Sequence, residues 1–394
     1  MILPKYPELG SAGTVAMIYF DNAATTGTKP PQVIAAVTGA LKDLSVNPGR
    51  GGYERSVRCT EKIYEARRKL SSFFGADAPE RVVFTANCTT AVNTVIKGIV
   101  RPGDHVVTSS LEHNAVARPL YRLSRGGADV DCAEVIFGDE EATVRSFERL
   151  IKKNTRLVIC THASNVTGTV LPIEKIAAIC AERSVPFAVD AAQTAGILDI
   201  NMMQQKIDYL CIAPHKGLYA PMGTGALIAL GNIPVPLTEG GTGSMSSSYE
   251  QPAELPDKLE SGTLNVPGII GMSAGIDFVK SKTVPAIYKH ELGIISYIYD
   301  RLSATPGVVL YTERPAPGRN VPTLSFNVKG LGSEETASRL SKYGIAVRAG
   351  LHCAPMAHRR LGTVDIGTVR ICSSVFNTAS DADKLIYAVQ KCTV

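Results

Sequence analysis

Three features are missing from this sequence, and each absence narrows its role. There is no C-x-x-C pair among nine cysteines, an odd number scattered over 394 residues, which argues against a disulfide framework or a zinc site and fits a reducing, cytoplasmic setting. There is no apolar run near the ~20 residues of a membrane helix, and no basic N-terminal region leading into an apolar stretch, so a soluble chain without a membrane partner is expected. There is no polybasic tract either. The 41 Lys and Arg against 36 Asp and Glu leave a net charge of +5, spread through mixed clusters such as EKIYEARRKL, so nucleic acid is not an expected partner.

What is present begins with size. At 45% hydrophobic residues over 394 positions, the chain exceeds what one hydrophobic core usually serves, and two domains are expected. Residues 1–16 mix Pro, Gly and small residues without periodicity and read as a leader or loose arm. Residues 17–30 form an N-terminal arm that joins the small domain, 31–274 a large domain and 275–394 the small C-terminal domain. Strand-like runs alternate with helical patterns from RVVFTA through HVVTSS, RLVICTHA and PFAVDA to IDYLCIA. That alternation predicts an α/β fold with a mostly parallel central sheet, whose ligands sit beyond the carboxyl ends of the strands. The segment PVPLTEGGTGSMSSSYEQPAELPD is too long for an ordinary connection and reads as a functional loop.

The chemistry gathers at those strand ends. In LCIAPHKGLYAPMGTG, Lys216 stands where an apolar run gives way to glycine and proline; burial there favours a neutral amine, usable as nucleophile or base. Asp190 ends the run PFAVD, where an ionised carboxylate needs a cationic partner. Thr89 and Thr90 open a helix after a strand, and the free amides of a first helical turn with their hydroxyls suit an anion such as phosphate. Singly, each has a plainer reading as a solvated lysine, a paired carboxylate or a helix cap. Together a Schiff-base lysine, a carboxylate for a pyridinium and a phosphate-binding helix start meet the requirements of pyridoxal 5'-phosphate.

With these residues in place, the sequence resembles the class V pyridoxal-phosphate enzymes, and within them the cysteine desulfurases and selenocysteine lyases. The motifs that carry the resemblance run in order from IYFDNAATT through ERVVFTANCTTAVN, SSLEHNAV, SNVTGT, VDAAQTAG, APHKGLYAPMGTG, ESGTLNVPGIIG and VRAGLHCAP to GTVRICSSVFNT. The resemblance implies fold type I, a homodimer with active sites shared between subunits, and conversion of L-cysteine to L-alanine. By position, Lys216 matches the Schiff-base lysine, Asp190 the pyridinium partner, and Gln193 and Asn165 the groups on the cofactor's phenolic oxygen. His113 matches the histidine stacked on the ring, Thr89, Thr90 and His215 phosphate-binding positions, and Thr263 a residue reaching the phosphate of the neighbouring subunit. Arg370 matches the arginine that binds the substrate carboxylate, with Asn22, Ala23, Ala24 and Arg348 beside it.

Cys353, in VRAGLHCAPMAHRR, sits in a loop with Arg348, His352, His358, Arg359 and Arg360 around it. A thiol reacts as thiolate and positive neighbours favour that form, so Cys353 is the expected second nucleophile, receiving sulfur as a persulfide for a sulfur-acceptor protein. A mobile loop suits a residue that must meet substrate and then acceptor. Cys160, Cys180 and Cys211 read instead as core cysteines. The sequence departs from the family three residues before the lysine, where Ala213 replaces a hydroxyl donor to the phosphate; Thr242 or Ser244 is a candidate substitute. The competing readings are L-selenocysteine as substrate, an aminotransferase or β-eliminating lyase for which Cys353 is dispensable, and a non-catalytic scaffold.

Overall fold

The computed structural model describes residues 17–49 and 51–393; the segment 1–16, read above as a leader, lies outside them. The chain starts with β1 (Ile18–Tyr19), then α1 (Pro31–Asp43) and α2 (Glu54–Phe73). Strand–helix alternation follows: β2 (Val82–Thr85), α3 (Cys88–Ile99), β3 (His105–Ser109), α4 (Asn114–Ser124), β4 (Asp129–Ala133), α5 (Glu140–Leu150), β5 (Thr155–Thr161), α6 (Ile173–Glu182) and β6 (Phe187–Asp190). Then come β7 (Tyr209–Ile212), β8 (Gly225–Ala229), α7 (Val266–Lys282) and α8 (Val284–Ser303). The chain closes with β9 (Val308–Leu310), β10 (Thr323–Val328), α9 (Ser333–Lys342), β11 (Ile345–Ala346), β12 (Arg348–Gly350), α10 (Pro355–Leu361), β13 (Thr368–Cys372) and α11 (Ala379–Cys392).

Seven strands form the central sheet in the order β2-β8-β7-β6-β5-β3-β4. Only β8 runs antiparallel to its neighbours. Strands β3, β6, β7 and β8 are buried along their whole length, which is why they read as continuous apolar runs: helices cover both faces of such a sheet. Two apolar clusters fill the two sides, one around Leu70, Phe147 and Phe187, the other around Val92, Ile159 and Leu227.

A second, antiparallel sheet has the order β12-β13-β10-β9 and its own core around Phe20, Ile298, Phe326 and Leu385. Residue 275 falls inside α7, which packs along α1 and α2, and the chain passes to α8 and the second sheet at Thr283. The arm of residues 17–30 ties the two regions together. Its β1 pairs with β11, while Thr26 N–H donates to His215 O at 3.1 Å beside the central sheet.

Candidate active site

The carboxyl ends of β5, β6 and β7 lie side by side, with Thr161 opposite Asp190 and Asp190 opposite Cys211. This register gathers the turns that carry Asn165, Asp190, Gln193 and Lys216. Gly217 lets two of the turns touch, since a Cβ there would strike the carbonyl oxygen of Ala195. The Lys216 turn is also held by residues that the sequence reading missed. The carbonyl of His215 accepts from Thr25 Oγ1 at 3.2 Å, Thr26 Oγ1 at 3.1 Å and Lys29 Nζ at 3.1 Å, and Thr26 Oγ1 also donates to Lys216 O.

Burial decides the protonation states. It pulls the Lys216 ammonium below the usual lysine range, against the opposing pull of Asp190, so the neutral amine comes within reach. Burial also lowers His113, whose Nδ1 accepts from Ala115 N–H at 3.0 Å and so leaves its proton on Nε2. His215 is lowered to about 4 by burial, then by Lys216 and Lys29. Lys29 falls to about 8 through burial.

Asp190 is 3% exposed. Its Oδ1 accepts from Ala192 N–H at 3.0 Å and from the Cys88 thiol at 3.5 Å. Helix α3 begins one residue earlier than Thr89, at Cys88, with Asn87 as its cap. The amide of Thr90 is taken by Asn87 Oδ1 at 2.9 Å, and its hydroxyl donates to the same oxygen at 3.1 Å. The exposed Thr89 therefore keeps the freer hydroxyl. Gln193 donates through Nε2 to Ala23 O at 3.2 Å, and Ala24 turns back on Asp21. Asn22 is buried and donates to Cys372 O at 2.9 Å, fastening the arm to β13.

Arg370, on β13 opposite Arg348 of β12, is 2% exposed. Its guanidinium donates to Asp21 Oδ1 at 2.9 Å and to Asn165 O at 3.0 Å, while Nε is buried without a partner among the described residues. Asp21 was not singled out in the sequence, yet a buried guanidinium beside that site needs an anion, and DNAA is the only acidic start to the arm. Nη1 and Nη2 each keep a second N–H beyond these bonds, which leaves capacity for a substrate carboxylate.

The Cys353 loop is fastened. His352 and Cys353 are consecutive non-glycine residues in the left-handed region, at φ 49° and 56°. Asn165 Nδ2 donates to His352 O at 2.7 Å and Asn114 N–H to Cys353 O at 2.7 Å. The thiol-bearing residue itself is exposed. The cysteine loop is thus a turn held by hydrogen bonds to the carbonyls of both His352 and Cys353. Three of the five basic residues expected around the thiol are turned or engaged elsewhere. His352 turns inward, bonds the Thr368 carbonyl through Nε2 at 3.0 Å and is pushed down to about 2 by burial and by Arg370. His358 is likewise buried and lowered, and Arg360 is paired with Glu134 at 2.7 Å.

Thr263 lies apart from Lys216 in this chain, in a pocket of about 480 Å³ lined by Asn47, Gly49, Tyr64, Arg67 and Thr242. Thr242 bonds Ser244, and Ser244 donates to Asp257, so both proposed substitutes for the missing hydroxyl are engaged within their own loop. Ala213 is buried in the apolar cluster that contains Cys88 and Cys211.

A carboxylate with one oxygen free of donors among the described residues, a lysine biased to neutrality and a capped helix start fit pyridoxal phosphate, which pairs a pyridine nitrogen with an aldehyde and a phosphate. Comparison with known proteins agrees. A family model described as aminotransferase class-V matches residues 18–385. A probable cysteine desulfurase of Methanothermobacter thermautotrophicus is 34% identical over 93% of this chain and 92% of its own. The apo structure of a cysteine desulfurase from Thermococcus onnurineus superposes with a TM-score of 0.88 at 30% identity, covering 96% of this chain and 94% of the other. An Escherichia coli cysteine desulfurase in its S-sulfonic acid form gives 0.85 at 28% identity, over 95% and 94%. The chain belongs to the class V aminotransferase family of pyridoxal-phosphate enzymes, and within it groups with proteins named cysteine desulfurases.

Proposed function

We propose that this protein is a cysteine desulfurase that takes the sulfur of L-cysteine onto Cys353, releases L-alanine and passes the persulfide sulfur to an acceptor protein. The observation that carries the reading is the exposed Cys353 on a turn fastened to Asn165 and to the residue after His113, two residues of the candidate site. An aminotransferase or eliminating lyase has no use for a thiol so placed.

Lys216, Asp190, His113, Gln193 and Asn165, with the start of α3, are the residues that would hold the cofactor. When bound, pyridoxal phosphate supplies an electron sink for charge developing at the substrate Cα. The chain does the rest. Arg370 binds the substrate carboxylate through its remaining N–H groups and fixes the amino acid's orientation. The Lys216 amine, whose proton burial loosens, takes the Cα proton. The Cys353 thiolate attacks the substrate sulfur: an S–S bond forms as the C–S bond breaks, the electron pair leaves on carbon, and that carbon is protonated to the methyl of alanine.

A homodimer is part of the proposal. Thr263 sits away from its own Lys216, as a residue serving a second subunit would, and Ile34, Leu41, Val57 and Tyr64 on α1 and α2 are each about half exposed, more large apolar surface than a free monomer needs. The test is alanine formation from L-cysteine with a thiol reductant, comparing wild type with Cys353→Ala and with L-selenocysteine as parallel substrate. Loss of cysteine turnover in the variant supports sulfur transfer through Cys353. Retained turnover refutes it, and activity on selenocysteine alone reassigns the substrate.

A further inference from the structure

Cys88 is a buried thiol at the centre of the site, and nothing in the proposed sulfur chemistry uses it. It is the first residue of α3, 8% exposed, directly after the Asn87 cap. Its Sγ stands 3.5 Å from Asp190 Oδ1. The same oxygen accepts from Ala192 N–H at 3.0 Å, while Oδ2 meets no donor among the described residues. The two oxygens of Asp190 are therefore unequal: one is anchored by the protein from two sides, and the other is left open.

We propose that Cys88 is a positioning residue for Asp190: its S–H holds Oδ1 so that Oδ2 is the oxygen presented to the cofactor's ring nitrogen. The inference rests on the reading of Asp190 as the partner of that nitrogen. A carboxylate turns readily about its terminal bond, where the torsional wells are broad. One backbone amide fixes one direction of approach to Oδ1, and a second donor from another element removes the remaining rotation. The thiol must stay protonated to donate. Deep burial beside a carboxylate keeps it so, raising its pKa well above the ordinary thiol value. The same burial makes Cys88 a poor nucleophile, which separates its role from that of the exposed Cys353.

The test measures affinity of the full-length apoenzyme for two ligands: pyridoxal phosphate, and an analogue with carbon in place of the ring nitrogen. The proteins are wild type, Cys88→Ala, Cys88→Ser and Asp190→Asn, each checked for folding by thermal denaturation. Loss of one weak hydrogen bond predicts that Cys88→Ala weakens pyridoxal phosphate about five- to tenfold. The serine hydroxyl should recover most of that loss, and affinity for the carbon analogue should stay at the wild-type value. Equal weakening of both ligands in Cys88→Ala means a packing role and overturns the proposal, as does no weakening of either. If Cys88→Ala does not fold, Cys88→Ser decides alone: it must keep wild-type discrimination between the two ligands. If Asp190→Asn leaves that discrimination intact, the reading of Asp190 falls and takes this one with it. If Asp190→Asn abolishes it and Cys88→Ala does not, only the role of Cys88 is lost.

Discussion

Replacing Asn165 by alanine removes the side chain that pins the cysteine turn from one side. His352 and Cys353 hold left-handed backbone conformations that cost non-glycine residues roughly 1–2 kcal/mol each, so the turn needs about 2–4 kcal/mol of restraint. Three contacts supply it: Asn165 Nδ2 on His352 O and Asn114 N–H on Cys353 O, both at 2.7 Å, and His352 Nε2 on the Thr368 carbonyl at 3.0 Å. In Asn165→Ala the buried His352 carbonyl loses its donor, which costs about 1–3 kcal/mol. A change of about 1–3 kcal/mol multiplies the open population by roughly five to 150. Asn114 reports that population, because its amide opens α4 and has no partner within the helix. Hydrogen exchange of the peptide containing Asn114 should accelerate by that factor in Asn165→Ala, with β5 and β6 unchanged. Unchanged exchange at Asn114 in a folded variant would refute the idea that Asn165 restrains the nucleophile.

Three further outcomes follow from the same contacts. Burial raises Glu291 to about 8, with Tyr219 OH donating to it at 3.1 Å; the folded state thus binds this proton more tightly than the unfolded chain, and its stabilising contribution, full below about pH 4.5, is lost as pH rises toward 8. Glu291→Gln should flatten urea-unfolding midpoints over that range, leaving the slope due to Glu112, which burial also raises to about 8. Thr26→Val removes the hydroxyl that donates to the His215 and Lys216 carbonyls and should lower stability by about 1–2 kcal/mol in urea unfolding. Arg370→Lys keeps the charge but loses the planar fork, and the KM for L-cysteine should rise about ten- to a hundredfold in the alanine-formation assay.

The cysteine turn shows why part of the site escaped sequence reasoning. A run of basic residues around a cysteine suggests an electropositive loop, yet side-chain direction is set by what the turn packs against. His352 enters the β12–β13 corner, where a neutral ring costs less than a charged one. Asp21 escaped for a similar reason: its partner Arg370 stands 349 residues away, and no local pattern encodes that meeting. The helix start after β2, by contrast, was legible in the strand-then-helix run TANCTT, and the structure places it at Cys88, one residue before Thr89, with Asn87 as its cap.

What the sequence determined alone is the alternation of buried strands and helices, because period and burial are local properties of the chain, and with it the placing of Asp190 and Lys216 at strand ends. The ordered motifs added the family and the cofactor. What only the tertiary structure decided is how the ends meet: Asn165 on the carbonyl of His352 across 187 residues, the N-terminal arm on the Lys216 turn, and Cys88 beneath Asp190. Such contacts depend on strand order and register in the closed sheet, which side-chain periodicity does not specify.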